Sequence, residues 1–202
     1  MLKPWRVTAS TTTYHDPWLK VRSDTCLRAD GHCINPYHVL EYPDWVNVVV
    51  LTPAFEIVLV RQYRHAVAEI LLELPCGALT SGGEDPVSGA ARELQEETGY
   101  VAAELIQIGS ARVNPATHSN TSWTVLALGA ESLGERRLDA NEEIEVILCD
   151  LLAFVAGVTG GEQPLQGMHM TSLWMALHWV SSSQRPDLAP LRQRLAGGGC
   201  LP

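Results

Sequence analysis

The segment GALTSGGEDPVSGAARELQEETGY, from residue 77 to residue 100, is the most informative part of this chain about its fold. It contains the helix with the clearest boundaries in the sequence. Asp85 is a favourable N-cap, Pro86 suits the first helical position, and Gly99 can close the C-terminus. Gly89 inside this helix costs about 1 kcal/mol relative to alanine, which predicts close packing against a neighbour. The apolar face of the helix consists of Val87, Ala90, Ala91 and Leu94.

The same helix carries three glutamates, Glu93, Glu96 and Glu97, at positions i, i+3 and i+4. This spacing places their carboxylates on one face, within reach of a common point. Mg²⁺ or Mn²⁺ would relieve the repulsion between them, because hard divalent cations prefer oxygen ligands. Arg92 can orient the carboxylates, and Glu84 can supply another oxygen. The pattern predicts a metal site; the alternative is a solvated acidic helix face.

Together these positions resemble the Nudix box, which runs Gly, spacer, Glu, seven residues and Arg-Glu-hydrophobic-x-Glu-Glu-x-Gly-hydrophobic. Glu84, seven intervening residues and the run from Arg92 to Tyr100 match this pattern without a gap. Six residues separate Gly77 from Glu84, where the family pattern has five. The extra residue lies in a Gly-rich loop that absorbs it at small thermodynamic cost, so we expect activity to survive.

The resemblance is strongest to the ADP-ribose pyrophosphatase branch of the Nudix family. VLVRQYR at residues 58–64 and ELPCG at residues 73–77 resemble a strand and the Glu-Leu-Pro-Ala-Gly segment of that branch. Pro115 lies fifteen residues after Tyr100, where the branch carries a proline. The glycine that often follows this proline is replaced here by Ala116.

The resemblance implies roles for individual side chains. Arg64 and Glu73 would contact substrate, whereas without the resemblance they read as an ordinary surface ion pair. The metal-binding residues that it implies are Cys76, through its backbone carbonyl, Glu93, Glu96 and Glu97. The catalytic residues that it implies are Arg92, Glu96, Glu97 and Glu142.

Three predicted roles concern residues outside the box. Glu142 lies in the acidic loop at 139–143, at the position of a mobile loop that supplies a catalytic glutamate in related enzymes; the alternative is a solvated loop carboxylate. Trp45 is the candidate for stacking on the base of a nucleotide. His118 is the one histidine expected near the site, with a structural or surface role.

The rest of the chain alternates between apolar and polar residues in short runs that predict strands, followed by helices at 150–156 and 170–181 and a frayed tail after Pro186. The predicted strands are 46–51, 57–61, 103–113, 122–128 and 144–149, with shorter ones before residue 45 and a turn at Asp30-Gly31. Residues 68–75 are predicted to form an extended segment that leads to Gly77. This order favours an α+β fold. The resemblance implies a Nudix-type α/β/α sandwich with a mixed β-sheet and a small N-terminal β-rich subdomain. The predicted organisation is a β-rich segment at 1–45, a hydrolase domain at 46–183 and a C-terminal tail at 184–202.

Composition excludes several classes of protein. Fourteen Lys and Arg against 23 Asp and Glu give a formal net charge of -9, which argues against polymeric nucleic acid as a partner. No apolar run approaches the roughly 18 residues that a membrane-spanning helix needs, so we expect no membrane association. The N-terminus lacks the apolar region of a secretory signal, and the five cysteines form no CxxC pair, so we expect reduced thiols and a cytoplasmic location.

The sequence thus predicts a metal-dependent hydrolase that uses Mg²⁺, or alternatively Mn²⁺. The resemblance implies that it cleaves the diphosphate of a nucleoside diphosphate joined to another group, such as ADP-ribose or a nucleotide sugar, and that it forms a homodimer through the N-terminal region. Two alternatives are a catalytically weak Nudix domain that senses a nucleotide and a structural protein whose acidic helix is only solvated.

Overall fold

The computed structural model describes residues 1–80, 82–138 and 142–197. Contacts between residues divide the chain into two compact units. The smaller unit combines Met1–Asp44 with Arg112–Thr121, and the larger unit combines Trp45–Ala111 with Ser122–Pro202. The segment 112–121 therefore joins the N-terminal unit although it connects two strands of the larger one.

The N-terminal unit is built on a three-stranded antiparallel sheet in the order β1-β2-β3. Its strands are β1 (Arg6–His15), β2 (Lys20–Leu27) and β3 (Cys33–Glu41). The predicted turn joins β2 to β3, and Gly31 there has a φ of 86°, which favours glycine. The backbone N–H of Leu40 donates a hydrogen bond to the carbonyl of Thr117 at 2.8 Å. This contact attaches the segment 112–121 to the unit.

The larger unit contains a seven-stranded mixed sheet in the order β12-β5-β4-β10-β9, with β6 beside β5 and β7 beside β4. These strands are β4 (Trp45–Leu51), β5 (Glu56–Arg64), β6 (Glu69–Glu73), β7 (Cys76–Ala78), β9 (Glu104–Arg112), β10 (Thr121–Leu128) and β12 (Ile144–Asp150). Strand β4 is parallel to β10 and antiparallel to β5 and β7. Two short strands, β8 (Tyr100–Val101) and β11 (Glu131–Ser132), form a separate antiparallel pair that the sequence did not predict.

Helices cover both faces of the mixed sheet. The helices are α1 (Pro86–Thr98), α2 (Leu151–Thr159), α3 (Gly167–Ser182) and α4 (Ala189–Gly197). Because side chains alternate along a strand, Val46, Val48 and Val50 of β4 pack in one buried cluster with residues of α1. Val49 and Leu51 pack in a second cluster with residues of α2, α3 and α4. The predicted α/β/α sandwich with a mixed sheet is confirmed.

The helix at the centre of the prediction begins and ends where its capping residues indicate. The Asp85 side chain accepts hydrogen bonds from the backbone N–H groups of Val87 and Ser88, and Gly99 adopts a left-handed conformation with φ 72°. A Cβ atom on Gly89 would lie 2.4 Å from Leu79 Cδ2, so the close packing predicted for this glycine is confirmed.

Within residues 186–197, which the structure describes, the prediction of a frayed tail is wrong. Pro186–Leu188 form a 3₁₀ turn, and α4 follows it as far as Gly197. The tail is held because three leucines at helical spacing are buried in the core beside α2 and α3: Leu188, Leu191 and Leu195. No helix in the described ranges is long and apolar enough to cross a membrane.

Candidate active site

The candidate site lies in the larger unit, where α1 packs against the short strand β7. Gly77, the middle residue of β7, allows this packing because a Cβ atom there would lie only 2.0 Å from Glu93 Oε1. The Glu93 side chain therefore occupies the space that a larger residue would fill. The first glycine of the sequence motif acts by giving room to a carboxylate from the helix.

The side chain of Arg92 ties the acidic residues of the motif together. Its guanidinium donates to both carboxylate oxygens of Glu84, at 3.0 and 3.1 Å, to Glu93 Oε1 at 2.7 Å and to Glu96 Oε2 at 3.0 Å. It also donates to the backbone carbonyl of Ala78 at 3.2 Å. The planar fork of an arginine suits such multiple charge-assisted bonds. The predicted orienting contact with Glu96 is present, and Glu84 is held by Arg92 in spite of the longer loop.

Glu84 is also fixed from its own loop, since its carboxylate accepts a hydrogen bond from the backbone N–H of Thr80 at 2.8 Å. Mainly through Arg92, these contacts lower the pKa of Glu84 to about 2. Gly82 and Gly83, between Thr80 and Glu84, both have positive φ values, at 133° and 87°. The flexible backbone of these glycines accommodates the extra residue of the loop.

Two glutamates of α1 are buried side by side. Glu97 is 4% exposed and its Oε2 accepts a hydrogen bond from the backbone N–H of Cys76 at 2.9 Å. Burial, followed by the negative charges of Glu93 and Glu142, raises the pKa of Glu97 to about 8. Burial likewise raises the pKa of Glu93, in spite of its contact with Arg92. The ionised forms of both carboxylates are therefore disfavoured here unless a cation lies beside them.

Glu142 is exposed, and its charge contributes to the raised pKa of both Glu93 and Glu97. Its carboxylate is thus within electrostatic range of the buried pair. Residues 139–141 of the predicted acidic loop lie outside the described residues. The loop ends are attached near α1, since the backbone N–H of Arg137 donates to the carbonyl of Glu96 at 3.0 Å and Arg136 donates to the carbonyl of Ile144 at 2.9 Å.

Arg64 and Glu73 form an ion pair on neighbouring strands β5 and β6. The Nη2 and Nε atoms of Arg64 lie 2.6 and 3.0 Å from Glu73 Oε2, and Gln62 Nε2 donates to the same oxygen at 3.0 Å. Glu73 is 1% exposed, whereas the Arg64 side chain is 37% exposed. The charge of Arg64 lowers the pKa of Glu97. The pair therefore adjoins the buried carboxylates and presents the guanidinium towards solvent.

Cys76 and Trp45 lie on strands β7 and β4. The Cys76 thiol is buried, and burial raises its pKa well above the ordinary value, so it is a packed group rather than a nucleophile. Trp45 is half-buried, and its indole nitrogen has no hydrogen bond of normal geometry to any described residue. The indole N–H nevertheless lies close enough to the Cys76 thiol to oppose, in small part, the rise in the pKa of that thiol. Pro115 and His118 belong to the segment that joins the N-terminal unit.

The donor set suits a hard divalent cation. Glu93 and Glu97 offer carboxylate oxygens, and the charge of Glu142 adds to the repulsion that a cation would offset. In the described part of the chain, no three His, Cys, Asp or Glu side chains already converge on one point. Mg²⁺ does not require such a cage, because it commonly takes one or two carboxylates together with water and phosphate oxygens.

Sequence reasoning missed His169, which is fully buried on α3. Its Nδ1 accepts a hydrogen bond from the backbone N–H of Leu74 at 3.4 Å, next to Glu73. Sequence reasoning expected only His118 near the site, and a lone histidine in an apolar helix gives no signal of such a contact. Gln62 was missed as well, although it lies inside the segment whose resemblance was noted.

Comparison with known proteins identifies the family and the fold of this chain. A family model described as "NUDIX domain" matches residues 41–195, and one described as "Nucleoside diphosphate sugar hydrolase N-terminal domain" matches residues 5–40. A solved structure described as "Crystal structure of ADP compounds hydrolase" shares the fold with a TM-score of 0.77 at 21% identity, covering 92% of this chain and 98% of that chain.

Curated relatives include proteins named ADP-ribose pyrophosphatase. The one from Bacillus subtilis is 34% identical over 110 residues, 54% of this chain and 59% of the relative. The one from Mycobacterium tuberculosis is 32% identical over 136 residues, 67% of this chain and 65% of the relative. A "Methanol dehydrogenase activator" from Bacillus methanolicus is 32% identical over 110 residues, and the match again spans 59% of its length. Because the NUDIX model covers more than half of the chain and includes the whole site, the protein belongs to the Nudix family.

Proposed function

We propose that the protein is a metal-dependent pyrophosphohydrolase that cleaves the diphosphate of a nucleoside diphosphate joined to another group. ADP-ribose or a related nucleotide sugar is the proposed substrate, giving a nucleoside monophosphate and a sugar phosphate. The observation that carries the proposal is the burial of Glu93 and Glu97 side by side against β7, with Arg92 holding the neighbouring carboxylates. Burial of two like charges is costly unless a cation or a proton neutralises them.

In this proposal some side chains bind the metal ion and others hold those side chains in position. Glu93, Glu97 and the Cys76 carbonyl would hold Mg²⁺, or Mn²⁺ in its place, with Glu96 completing the site. When bound, the ion offsets the charge of the diphosphate and lowers the pKa of water. Arg92 keeps the carboxylates in position through its contacts with Glu84, Glu93 and Glu96.

Two further side chains would act on the substrate and the attacking water. Arg64 is partly exposed beside the carboxylates and would bind a phosphate oxygen, while buried Glu73 fixes its orientation. Glu142 is the proposed acceptor of the proton from the attacking water. The water oxygen forms a bond to one phosphorus and the bridging oxygen leaves with the other, so the products are two monophosphates.

The partners of the protein follow from the same reasoning. The ligand is a small nucleoside diphosphate derivative, because the net charge of -9 disfavours polymeric nucleic acid. Trp45 remains the proposed stacking residue for the base. The names of the curated relatives support ADP-ribose as the first substrate to test.

We also propose a homodimer that uses the N-terminal unit. All ten residues of β1 are exposed, and this unit exposes the large side chains of Trp5, Val7, Tyr14 and Trp18. Contiguous exposed apolar surface is typical of protein interfaces. Sedimentation at micromolar concentration tests the dimer: a mass of about one chain would contradict it.

The free thiols of Cys26, Cys33, Cys76 and Cys149 support a reducing, cytoplasmic location.

The first experiment incubates the purified protein with Mg²⁺ and a panel of ADP-ribose, nucleotide sugars, dinucleotides and nucleoside triphosphates, and measures release of monophosphates. We expect AMP and ribose 5-phosphate from ADP-ribose, loss of cleavage with a chelator, and loss of cleavage in Glu97→Gln. Glu145→Gln is the matched control, since Glu145 is exposed and pairs only with Arg61 among the contacts described for it. Near wild-type turnover in Glu97→Gln at saturating Mg²⁺ would overturn the mechanism.

The alternative function is a nucleotide sensor with weak catalysis. It is favoured by the extra residue before Glu84 and by Ala116 in place of the glycine that often follows the proline. Metal-dependent binding of a panel member without cleavage of any would support the sensor. Absence of any Mg²⁺ or Mn²⁺ binding would instead favour a structural protein.

A further inference from the structure

The segment from Glu73 to Cys76 connects two parts of the candidate site. Glu73 at its start orients Arg64, and the backbone N–H of Cys76 at its end donates to Glu97. Because Pro75 between them has no N–H, the segment has few donors with which to fix its own path. The position of this segment therefore determines how the substrate-binding pair is placed relative to the buried carboxylates.

Two buried groups hold the interior of this segment. The backbone N–H of Val48 on β4 donates to the Pro75 carbonyl at 2.9 Å. The backbone N–H of Leu74 donates to His169 Nδ1 at 3.4 Å. The first contact is made by the backbone and survives any side-chain change, whereas the second depends on the identity of residue 169.

His169 is itself held in a defined chemical form. It is fully buried, and burial lowers its pKa to about 4, so the ring is neutral near pH 7. Since Nδ1 accepts a hydrogen bond, the ring proton is on Nε2, which is buried and has no hydrogen-bond partner among the described residues. A residue that acts here must present an acceptor at the position of Nδ1.

The helix that carries His169 is fixed to the sheet one turn later. Ser172 Oγ accepts a hydrogen bond from Asn47 Nδ2 at 3.2 Å and lies 2.8 Å from Thr124 Oγ1. Residues three apart on a helix share a face, so Ser172 makes a second buried polar contact on the face of α3 from which His169 reaches the segment from Glu73 to Cys76. Ser172 thus provides a control that changes the buried polar contacts of α3 without removing the bond to Leu74.

We propose that His169 is a positioning residue for substrate binding, acting through its hydrogen bond to the backbone of Leu74. The inference rests on the proposed function, because it assigns the effect to the Arg64–Glu73 pair. His169 is buried on α3 and its described contact is with the backbone next to Glu73, so its influence is indirect. The Pro75 carbonyl and the Cys76 N–H keep their own partners, so loss of the bond displaces Glu73 more than Glu97.

The kinetic test compares three substitutions with wild type, using ADP-ribose and saturating Mg²⁺. Asparagine places an acceptor at the position of Nδ1, glutamine places its amide near Nε2, and leucine supplies neither. We expect His169→Leu and His169→Gln to raise KM at least about fivefold, because the Leu74 N–H loses its acceptor and the backbone that places Glu73 and Arg64 shifts. The change in kcat should be smaller, and His169→Asn should restore most of the wild-type KM.

Ser172→Ala supplies the matched control. It should lower the melting temperature while leaving KM within about twofold of wild type, because small changes in packing away from a site need not change binding. A folded His169→Leu variant with the wild-type KM would overturn the proposal. An equal rise of KM in Ser172→Ala would also overturn it, since the effect would then be a general consequence of loosening α3.

A measurement on the wild-type protein separates this proposal from the proposed function. Nitrogen-15 spectra of labelled histidine distinguish the two neutral ring tautomers. We expect one histidine whose signals show a proton on Nε2 and an unprotonated Nδ1 that accepts a hydrogen bond. These signals should be absent from the spectrum of His169→Asn. A proton on Nδ1 would exclude the bond to Leu74 even if the enzyme cleaves ADP-ribose. Failure to cleave any substrate, with the expected tautomer present, would overturn the proposed function and the assigned effect on KM but leave the contact established.

Discussion

The Glu93 carboxylate fills the space beside Gly77 that a Cβ atom would need. A Cβ atom on residue 77 would lie only 2.0 Å from Glu93 Oε1. No carboxylate oxygen can remain at that distance from a carbon atom, so Gly77→Ala must displace the Glu93 side chain. Because a shift of about 1 Å at a reacting centre costs up to roughly a hundredfold in rate, we expect Gly77→Ala to lower kcat/KM at least about tenfold.

Gly167→Ala is the control for this substitution. A Cβ atom on Gly167 meets no atom within 4 Å, so the variant should keep wild-type kinetics. Steady-state assays on both variants, with circular dichroism to verify folding, provide the comparison. Unchanged kinetics in a folded Gly77→Ala protein would show that the Glu93 position is unimportant for catalysis.

Arg92 stabilises the acidic cluster as well as orienting it. Arg92→Met removes the partner of three carboxylates, two of which, Glu84 and Glu93, are largely buried. We expect a loss of about 2 kcal/mol in the free energy of unfolding, below the range for fully buried pairs because Arg92 is partly exposed. Urea unfolding without divalent cations measures it, and added Mg²⁺ should recover part of the loss.

The exposed ion pair of Arg61 and Glu145 is the control for Arg92, because it gives the loss of unfolding free energy expected for an exposed pair. Arg61→Met removes a contact of 2.7 Å between two side chains that are both about half exposed, so its cost should be below about 1 kcal/mol. If Arg92→Met and Arg61→Met lost the same free energy of unfolding, Arg92 would stabilise the acidic cluster no more than an exposed ion pair does.

Glu142→Gln should reduce kcat and leave KM nearly unchanged. Glu142 is exposed and is proposed to accept a proton, a contribution that is typically worth about a hundredfold or more. The neighbouring Glu143 is also exposed, so Glu143→Gln controls for the change in charge of the loop. A kcat for Glu142→Gln within about twofold of wild type would assign the proton to another acceptor.

The titration of His169 contributes a loss of stability in acid, whereas the raised pKa of Glu97 contributes with the opposite sign. The pKa of His169 falls from 6.5 to about 4 on folding, so between these values the unfolded chain binds a proton that the folded chain does not. The stabilisation is complete above pH 6.5 and is lost as pH falls towards 4. From the pKa difference we expect about 2 kcal/mol of this loss between pH 7.5 and pH 5.

Chemical unfolding at these two pH values checks the prediction. His169→Asn should lose about 2 kcal/mol less than wild type over this interval, since asparagine does not titrate. His178 is exposed on the same helix, and His178→Asn should keep the wild-type dependence. The same pH dependence in wild type and His169→Asn would mean that His169 is already protonated, or accessible to protons, in the folded protein.

Elements with local signals could be predicted from the amino-acid sequence. The caps at Asp85 and Gly99 set the ends of α1, and the i, i+3, i+4 spacing set the face of the helix that carries Glu93, Glu96 and Glu97. The apolar strands β4 and β5 were predicted because β-branched runs form such strands whatever their partners are. Each of these features depends on residues that lie close together in the sequence.

Contacts between groups that are distant in the sequence became visible only in the folded chain. The contact of Glu97 with the Cys76 N–H, the room that Gly77 gives to Glu93 and the bond from Leu74 to His169 join residues from separate elements. The order of α4 was missed for the same reason, because its leucines are stabilised by burial against α2 and α3 rather than by helix propensity. Local patterns determine which conformation a segment prefers, whereas burial and hydrogen bonding between segments determine the charge and the position of each group in the site.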